Sequence, residues 1–161
     1  MPLDPDLFRQ AMRSWSTGVA IVTSIHENIR HGMTVSSFTS LSLTPPQVLI
    51  ALAQQARTRP LIAASGIFGV SVLASDQSEI SDRFAGRVPD NRDRFQGLET
   101  FSLETGAPFL RGGLACFDCR VVNTLNSGEH TIFIGEVLAA ETFGEHQPLI
   151  YFDRQYRQLQ K

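Results

Sequence analysis

This sequence lacks a large excess of either sign of charge, since it has 14 Lys and Arg against 16 Asp and Glu and a net charge of -2. A nucleic-acid-binding protein carries a basic surface, so we expect no nucleic-acid partner. The N-terminal residues MPLDPDLFRQAMRSW have early acidic residues and no long apolar run. They match neither a secretory signal nor a transmembrane helix, so we expect a cytoplasmic protein with no membrane partner.

Two nucleotide-binding motifs are also absent. The sequence contains no GxGxxG after a first strand and no GxxxxGK[ST]. Both motifs use glycines to bring backbone amides close to phosphates, so neither of these nucleotide-binding folds is predicted. If this protein binds a phosphate, the hydrogen-bond donors must come from residues outside these two motifs.

Cysteine is scarce, and its two instances are close together. Cys116 and Cys119 occur as CFDC, a spacing that resembles redox and metal motifs. Side chains three residues apart in a strand point to opposite faces, and zinc would need two further ligands. We therefore expect no metal site and interpret both cysteines as small core residues.

The composition is that of one globular domain. Hydrophobic residues make up 42% and charged residues 19% of the chain, which fits neither a disordered nor a membrane protein. A chain of this length buries roughly 70% of the surface that its unfolded form exposes. Because there is no repeat, low-complexity tract or linker, residues 1–161 are predicted to be a single domain.

Hydroxyl groups are unusually dense in one segment. Residues 32–46, GMTVSSFTSLSLTPP, contain seven Ser and Thr in what otherwise has the pattern of a strand. Buried hydroxyls need partners, so this density predicts either a solvated face or a bound molecule rich in oxygen and nitrogen. Residues 48–53, VLIALA, form an unbroken apolar run typical of a strand covered on both faces. A polar strand beside a buried strand predicts a ligand-binding surface.

The remaining pattern predicts mainly strands with a few short helices. The predicted helices cover residues 5–15, 58–66 and 75–86, the last with Ser75 and Asp76 as cap candidates. The predicted strands cover residues 19–25, 32–46, 48–53, 67–74 and most of the chain from 107 onward, with a hairpin turn at NSGE. Residues 88–97 are predicted to form a surface turn or a short helix. This order favours a β-barrel with added helices over a doubly wound sheet.

The start of the second helix is a candidate anion site. Arg57, Thr58 and Arg59 lie where free backbone amides and the helix dipole attract negative charge, and guanidinium groups add donors. The alternative is a capped helix with solvated arginines.

Five blocks in this order resemble the flavin reductase family, which has the FMN-binding split β-barrel fold of Greek-key type. The blocks are TGVAIVT, HGMTVSSFTSLSLTPP, RTRPLIAASGIFGVSVLASDQSEISDRFAG, GEHTIFIGEV and PLIYF. The resemblance extends from about Phe8 to about Tyr156. The family contains the small reductase components of two-component flavin-dependent monooxygenases, such as the 4-hydroxyphenylacetate hydroxylase reductase.

The resemblance implies a cofactor site for FMN or FAD. In the family, the region matching residues 33–37 lies along the isoalloxazine and ribityl groups, and the position matching Thr58 faces the phosphate. The SDRFAG block comes near the flavin, commonly across a dimer interface, and Tyr156 matches an aromatic residue close to the cofactor. The implied cofactor-binding residues are Met33, Thr34, Val35, Ser36, Ser37, Ala51, Arg57, Thr58, Ser81, Arg83, Phe84 and Tyr156.

The implied function is that of an NAD(P)H:flavin oxidoreductase, with NADH and NADPH both open. The cofactors carry the hydride transfer, while the protein stacks the rings and tunes the charge near them. His130 matches the histidine near the flavin and the nicotinamide, where it would position the nicotinamide or stabilise charge on the reduced flavin. The alternative for His130 is an ordinary surface residue at a strand end.

A homodimer is expected because a six-stranded barrel of this size leaves one wall of the flavin site open. Reduced flavin would then pass to a partner monooxygenase. Two other functions stay open, namely a split-barrel oxidase of pyridoxamine phosphate or a similar amine, and a non-catalytic flavin-binding or flavin-sensing protein.

Overall fold

The structure, a computed structural model, describes residues 1–88 and 93–160. Its helices are α1 (Pro5–Met12), α2 (Thr58–Ser65) and α3 (Ser78–Phe84). Its strands are β1 (Thr17–Gly18), β2 (Ala20–His26), β3 (Ile29–Val35), β4 (Phe38–Leu43), β5 (Pro46–Ala53), β6 (Ile67–Val72), β7 (Thr100–Phe101), β8 (Phe109–Leu110), β9 (Ala115–Ser127), β10 (His130–Thr142), β11 (Ile150–Phe152) and β12 (Gln155–Arg157).

Seven strands form one antiparallel sheet in the order β3-β2-β6-β9-β10-β5-β4. The outermost strands, β3 and β4, are consecutive in the chain, with Ser36 and Ser37 between them. Six strand spacings amount to roughly 29 Å in a flat sheet, whereas the link from Val35 to Phe38 reaches about 11 Å. The sheet is therefore curled so that its two edges approach each other at this link. We call the junction at Ser36 and Ser37 the seam.

The predicted hydroxyl-rich strand over residues 32–46 is thus two strands. The chain leaves one edge of the sheet at Val35 and joins the opposite edge at Phe38. Four of its seven hydroxyl residues are exposed, so much of the segment is a solvated edge. The mainly β fold with short helices, curled as in a split barrel, is as predicted.

The concave side of the sheet holds the inner core. Alternate residues of β5, namely Val48, Ile50 and Leu52, are fully buried there, and Ile62 of α2 closes one end. Burying each such side chain contributes about 1.5–3 kcal/mol. The prediction that β5 is covered on both faces is wrong, because residues 49, 51 and 53 are only half-buried. Their face is apolar because it lines the cavity described below.

An outer core lies between the other side of the sheet and α3. Phe84 is fully buried and makes an edge-on contact with Phe95, with ring centroids 5.1 Å apart. Gly32 of β3 permits this approach, since a Cβ there would lie 2.9 Å from Cε1 of Phe84. Residues 89–92 of the segment predicted as a turn or short helix lie outside the described residues. Residues 94–97 form a turn, and this turn places the side chain of Phe95 in the outer core.

The helix boundaries differ in part from those predicted. Asp4 caps α1 by accepting a hydrogen bond from the amide of Asp6, but α1 ends at Met12 and not at residue 15. Helix α3 begins at Ser78, three residues later than predicted, because Gln77 takes the N-cap position and its Oε1 accepts a hydrogen bond from the amide of Ala74 at 2.9 Å. Helix α2 ends at Ser65, and its C-cap Gly66 is left-handed with φ 71°, as the glycine predicts.

The two cysteines are free, fully buried and on opposite faces of β9, as predicted. Cys119 belongs to the inner core, and Cys116 packs with Phe109 on the other side. Burial, with a smaller effect of the neighbouring carboxylate of Asp118, raises the pKa of Cys119 to about 12. A thiol with that pKa is not a reactive thiolate at neutral pH.

Helix α1 is amphipathic but buries none of its residues. Leu7, Phe8 and Met12 are each at least half exposed. The end of α1 is tied to the rest of the chain by Arg13, whose Nε donates to Oδ1 of Asp153 at 2.6 Å. Within residues 1–88 and 93–160, no helix combines the length and apolar character needed to cross a membrane.

Candidate functional site

A cavity of about 440 Å³ opens at the seam. It spans the two sheet edges, with Ala20 and Val35 on one side and Leu49 and Ala51 on the other. The segment before β2 supplies a further wall. The lining residues are Trp15, Ser16, Thr17, Gly18, Val19, Ala20, Val35, Ser36, Ser37, Phe38, Thr39, Leu49, Ala51 and Val72.

The seam hydroxyls differ in their bonding. Ser37 Oγ donates to the carbonyl of Ala51 at 2.6 Å and accepts from the amide of the same residue at 3.3 Å. This pair ties the seam to β5. Ser36 is exposed and lines the cavity, so its hydroxyl can face a bound molecule.

Two further cavities adjoin the first at Ser36. One, of about 180 Å³, is lined by Thr34, Ser81, Arg87 and Tyr156 among others. The other, of about 320 Å³, lies between α1 and the β11–β12 hairpin. Ser36 lines all three cavities. The seam is therefore the point from which a large ligand can extend in more than one direction.

Tyr156 belongs to a hydrogen-bonded group at the smaller cavity. Its hydroxyl donates to Oδ1 of Asp82 at 2.7 Å and lies 2.8 Å from Oγ of Ser81. Asp82 also accepts from Arg87 at 2.8 Å, and Thr34 Oγ1 donates to the carbonyl of Ser81 at 2.5 Å. Burial raises the pKa of Tyr156 above its usual value, so the phenol keeps its proton.

The start of α2 holds positive charge. Burial, and then the charges of Arg94 and Arg57, lower the pKa of His31 to about 4. Burial and Arg57 lower the pKa of Arg94, whose guanidinium donates to the carbonyls of Gly32 at 2.9 Å and Phe84 at 2.7 Å. Cationic groups that disfavour one another's charge, beside a helix N-terminus, favour a bound anion.

His130 is the first residue of β10 and lies opposite the end of β5. In the register of β10 against β5, His130 pairs with Ala53 and Ile132 pairs with Ala51. Paired residues share a face, so His130 lies on the cavity face, about 7 Å along the strand from Ile132. Gln54, which follows β5, donates its amide to the carbonyl of Glu129 at 2.9 Å and fixes this arrangement.

Comparison with known proteins identifies the family. The flavin reductase like domain matches residues 12–160. The chain belongs to the flavin reductase family. It is 38% identical over 157 residues to the NADH-dependent flavin reductase StyB of Pseudomonas fluorescens, covering 96% of this chain and 89% of StyB. It is 36% identical over 154 residues to HsaB of Rhodococcus jostii, the reductase subunit of a flavin-dependent monooxygenase, covering 96% of this chain and 77% of HsaB.

A solved flavin reductase has the same fold. The NADH:FAD oxidoreductase SgcE6 of Streptomyces globisporus, in complex with NAD and FAD fragments, superposes with a TM-score of 0.90 at 31% identity. The superposition covers 99% of this chain and 97% of SgcE6. The predicted family and fold class are confirmed.

The structure of this flavin reductase brings most of the predicted site residues together. Val35, Ser36, Ser37 and Ala51 line the main cavity, and Thr34, Ser81 and Tyr156 line the smaller one. Arg57 is exposed at the start of α2. These placements are geometric, and the cofactor contacts themselves stay predictions.

Six predicted residues line none of the three cavities, namely Arg57, His130 and four whose side chains are buried or bonded elsewhere. Thr58 is fully buried, with Oγ1 hydrogen-bonded to Nδ1 of His31 at 2.8 Å. Phe84 is fully buried in the outer core, and Met33 packs against the inner core. Arg83 donates to the carbonyl of Gln96 at 2.9 Å. These four residues would therefore stabilise the elements around a cofactor site without contacting the cofactor.

Sequence reasoning missed the wall formed by residues 15–18. Trp15 lies two residues before the start of the family block TGVAIVT, and it is the one tryptophan of the chain. A single large aromatic residue beside a family block is a signal that could have been used. Arg94 was also missed, and nothing in its local sequence indicates that it bridges β3 and α3.

Proposed function

We propose that this protein is a flavin reductase that transfers hydride from NADH to FMN or FAD and releases the reduced flavin to a separate monooxygenase. The observation that carries the proposal is the cavity at the seam, with hydroxyls at its polar edge and apolar walls on both sides. Relatives support it, since StyB is NADH-dependent and HsaB serves a monooxygenase.

The residues present fit a flavin. Ala20, Val35 and Leu49 provide apolar surface for a ring system, while Ser36 and the main chain of the seam provide polar partners. Arg57 and the first turn of α2 would hold the phosphate. When bound, the flavin and the nicotinamide supply the hydride chemistry, so the chain needs no nucleophile of its own.

His130 would orient the nicotinamide. It is exposed and pairs with Ala53, on the same face of the sheet as Ala51. A neutral imidazole there can donate to the carboxamide of the nicotinamide, and a charged imidazole can stabilise negative charge on the reduced ring. In either role, His130 interacts with a ligand through a hydrogen bond or a charge and forms or breaks no covalent bond.

We infer that the protein acts as a homodimer in the cytoplasm and belongs to the EC 1.5.1 class of oxidoreductases. The apolar face of α1 supports the dimer, since Leu7, Phe8 and Met12 are each at least half exposed among the described residues. An exposed apolar face of this kind typically marks a protein contact.

Steady-state oxidation of NADH tests the function. The purified protein should consume NADH over many turnovers with excess FMN or FAD, and reduced flavin should accumulate under anaerobic conditions. Addition of NADPH in place of NADH tests nucleotide choice. A protein that binds flavin without multiple turnovers would be a flavin sensor, and one that ignores NADH but oxidises pyridoxamine phosphate would be an amine oxidase. Either result would overturn the proposal.

A further inference from the structure

Trp15 is an aromatic side chain on a fixed backbone with an exposed ring. It is 69% exposed, although burial of an aromatic ring is favourable. On one side, the amides of Ser14 and Trp15 donate to the carbonyls of Ala11 and Met12, each at 3.1 Å. On the other side, Thr17 and Gly18 pair with β11. Trp15 therefore belongs to a defined turn.

The surroundings of Trp15 leave room for a flat molecule. Trp15 lines the seam cavity together with Gly18, Ser36 and Ser37. A Cβ built on Gly18 would meet nothing within 4 Å. Bare backbone beside an exposed indole is a surface on which a planar ring can lie against the aromatic face.

We propose that Trp15 stacks on the isoalloxazine ring of the bound flavin and thereby contributes to flavin affinity. This inference rests on the proposed function. The flavin is favoured over the nicotinamide because Trp15 shares its cavity with Ser36 and Ser37. His130, the predicted nicotinamide residue, lies toward the start of α2. Trp15 and His130 would then serve different rings.

The isolated ring tests the proposal directly. Lumiflavin carries the isoalloxazine without ribityl or phosphate, so its dissociation constant, measured by equilibrium dialysis, isolates ring contacts. Replacing Trp15→Leu should raise this constant about three- to tenfold, the loss expected for one aromatic stacking contact. Trp15→Phe should fall between Leu and wild type. If the Leu variant fails to fold, the Phe variant still decides the test.

A spectrum provides a second readout. An indole stacked on an oxidised flavin adds charge-transfer absorbance at wavelengths beyond the main flavin band, and this absorbance should disappear in Trp15→Leu. The matched control is Phe152→Leu, since Phe152 is an exposed aromatic residue that lines none of the three cavities. Its lumiflavin constant and spectrum should equal those of wild type.

Several outcomes would overturn the stacking role. Wild-type affinity of Trp15→Leu for lumiflavin would do so, as would quenching of Trp15 fluorescence by NAD alone with no charge-transfer absorbance from lumiflavin. A shift of Trp15→Leu from dimer to monomer in sedimentation, with unchanged lumiflavin binding, would place Trp15 at a protein contact. The proposed function can fail separately, because lumiflavin can stack in a protein that never oxidises NADH.

Discussion

Nδ1 of His31 and Oγ1 of Thr58 are joined by a 2.8 Å hydrogen bond that ties β3 to the first turn of α2. Thr58 is fully buried, and His31 has its other ring nitrogen buried without a partner among the described residues. Arg57 and Arg94 add to the effect of burial in disfavouring a charged imidazole. The bond therefore belongs to a neutral His31 at pH 7.

Stability should fall on mild acidification because of His31. Its pKa is about 4 in the folded protein against 6.5 unfolded, so between these values the unfolded chain binds more protons. The free energy of unfolding then decreases as pH falls from 6.5 to 4. Urea denaturation at pH 7 and pH 5 measures the decrease, which should be smaller in His31→Gln. His146→Gln, which changes an exposed histidine, should keep the wild-type slope. Equal slopes in all three proteins would contradict the assignment.

Removal of the Arg57 guanidinium should weaken binding of phosphorylated flavins. Arg57→Ala is expected to raise the Michaelis constant for FMN about tenfold, because a charge-assisted hydrogen bond is lost, and to leave turnover nearly unchanged. Riboflavin, which has no phosphate, should be used equally well by variant and wild type. Arg120→Ala, which removes an exposed arginine paired with Glu136 at 2.9 Å, is the control. A loss confined to turnover would rule out a phosphate contact.

His130→Ala should affect the reaction with NADH but not the binding of FMN. We expect turnover to fall, by up to about a hundredfold if the nicotinamide is misplaced, while the dissociation constant for FMN stays at its wild-type value. Anaerobic stopped-flow measurement of hydride transfer at saturating NADH provides the rate. His146→Ala, an exposed loop change, should leave it intact. If His130→Ala were as fast as wild type, His130 would be an ordinary surface residue.

A side chain at Gly18 should block the seam cavity without disturbing the fold. Gly18 has no positive φ, and an added Cβ would meet no atom within 4 Å. Gly18→Val should therefore keep its melting temperature but bind FMN at least about tenfold more weakly, as followed by flavin fluorescence. Gly32→Ala should behave in the opposite way, because its Cβ would crowd Phe84 at 2.9 Å and lower stability. Tight FMN binding by Gly18→Val would place the flavin outside this cavity.

Much of the fold could be predicted because its signals are local. The turn at Gly128 and Glu129 follows from NSGE between two β-rich runs, and the end of α2 follows from Gly66. The start of α3 was misplaced because Gln77 gains its partner from Ala74 through tertiary placement. Local preference for Ser or Asp as a cap could not reveal that bond.

The break at the seam could not be predicted from its residues. Ser36 and Ser37 are flanked by Val35 and Phe38, so the segment has no glycine or proline to mark a turn. The chain bends there because the sheet curls, and curling is decided by packing across all seven strands. The exposure of the apolar face of α1 could not be predicted either. An amphipathic pattern predicts that a helix has an apolar face but does not show what covers that face.

The candidate site was predicted by family blocks more than by chemistry. Hydroxyl density indicated the region of Thr34 to Ser37, which lines the cavities, but also included Ser40 and Thr44, which do not. The burial of Thr58 depends on His31, which is 27 positions away in the chain. Contacts of that kind become visible only in three dimensions.

The two-residue link between β3 and β4 has a consequence for evolution and engineering of this protein. The distance between the walls of the seam cavity depends on the curvature of the whole sheet, and the inner core that fills this curve includes Ile50 and Phe68. Replacing either side chain with a larger or a smaller one should therefore change the ligand affinity, although neither side chain lines the cavity. A core substitution chosen only to raise thermal stability is therefore expected to change the affinity for the ligand as well.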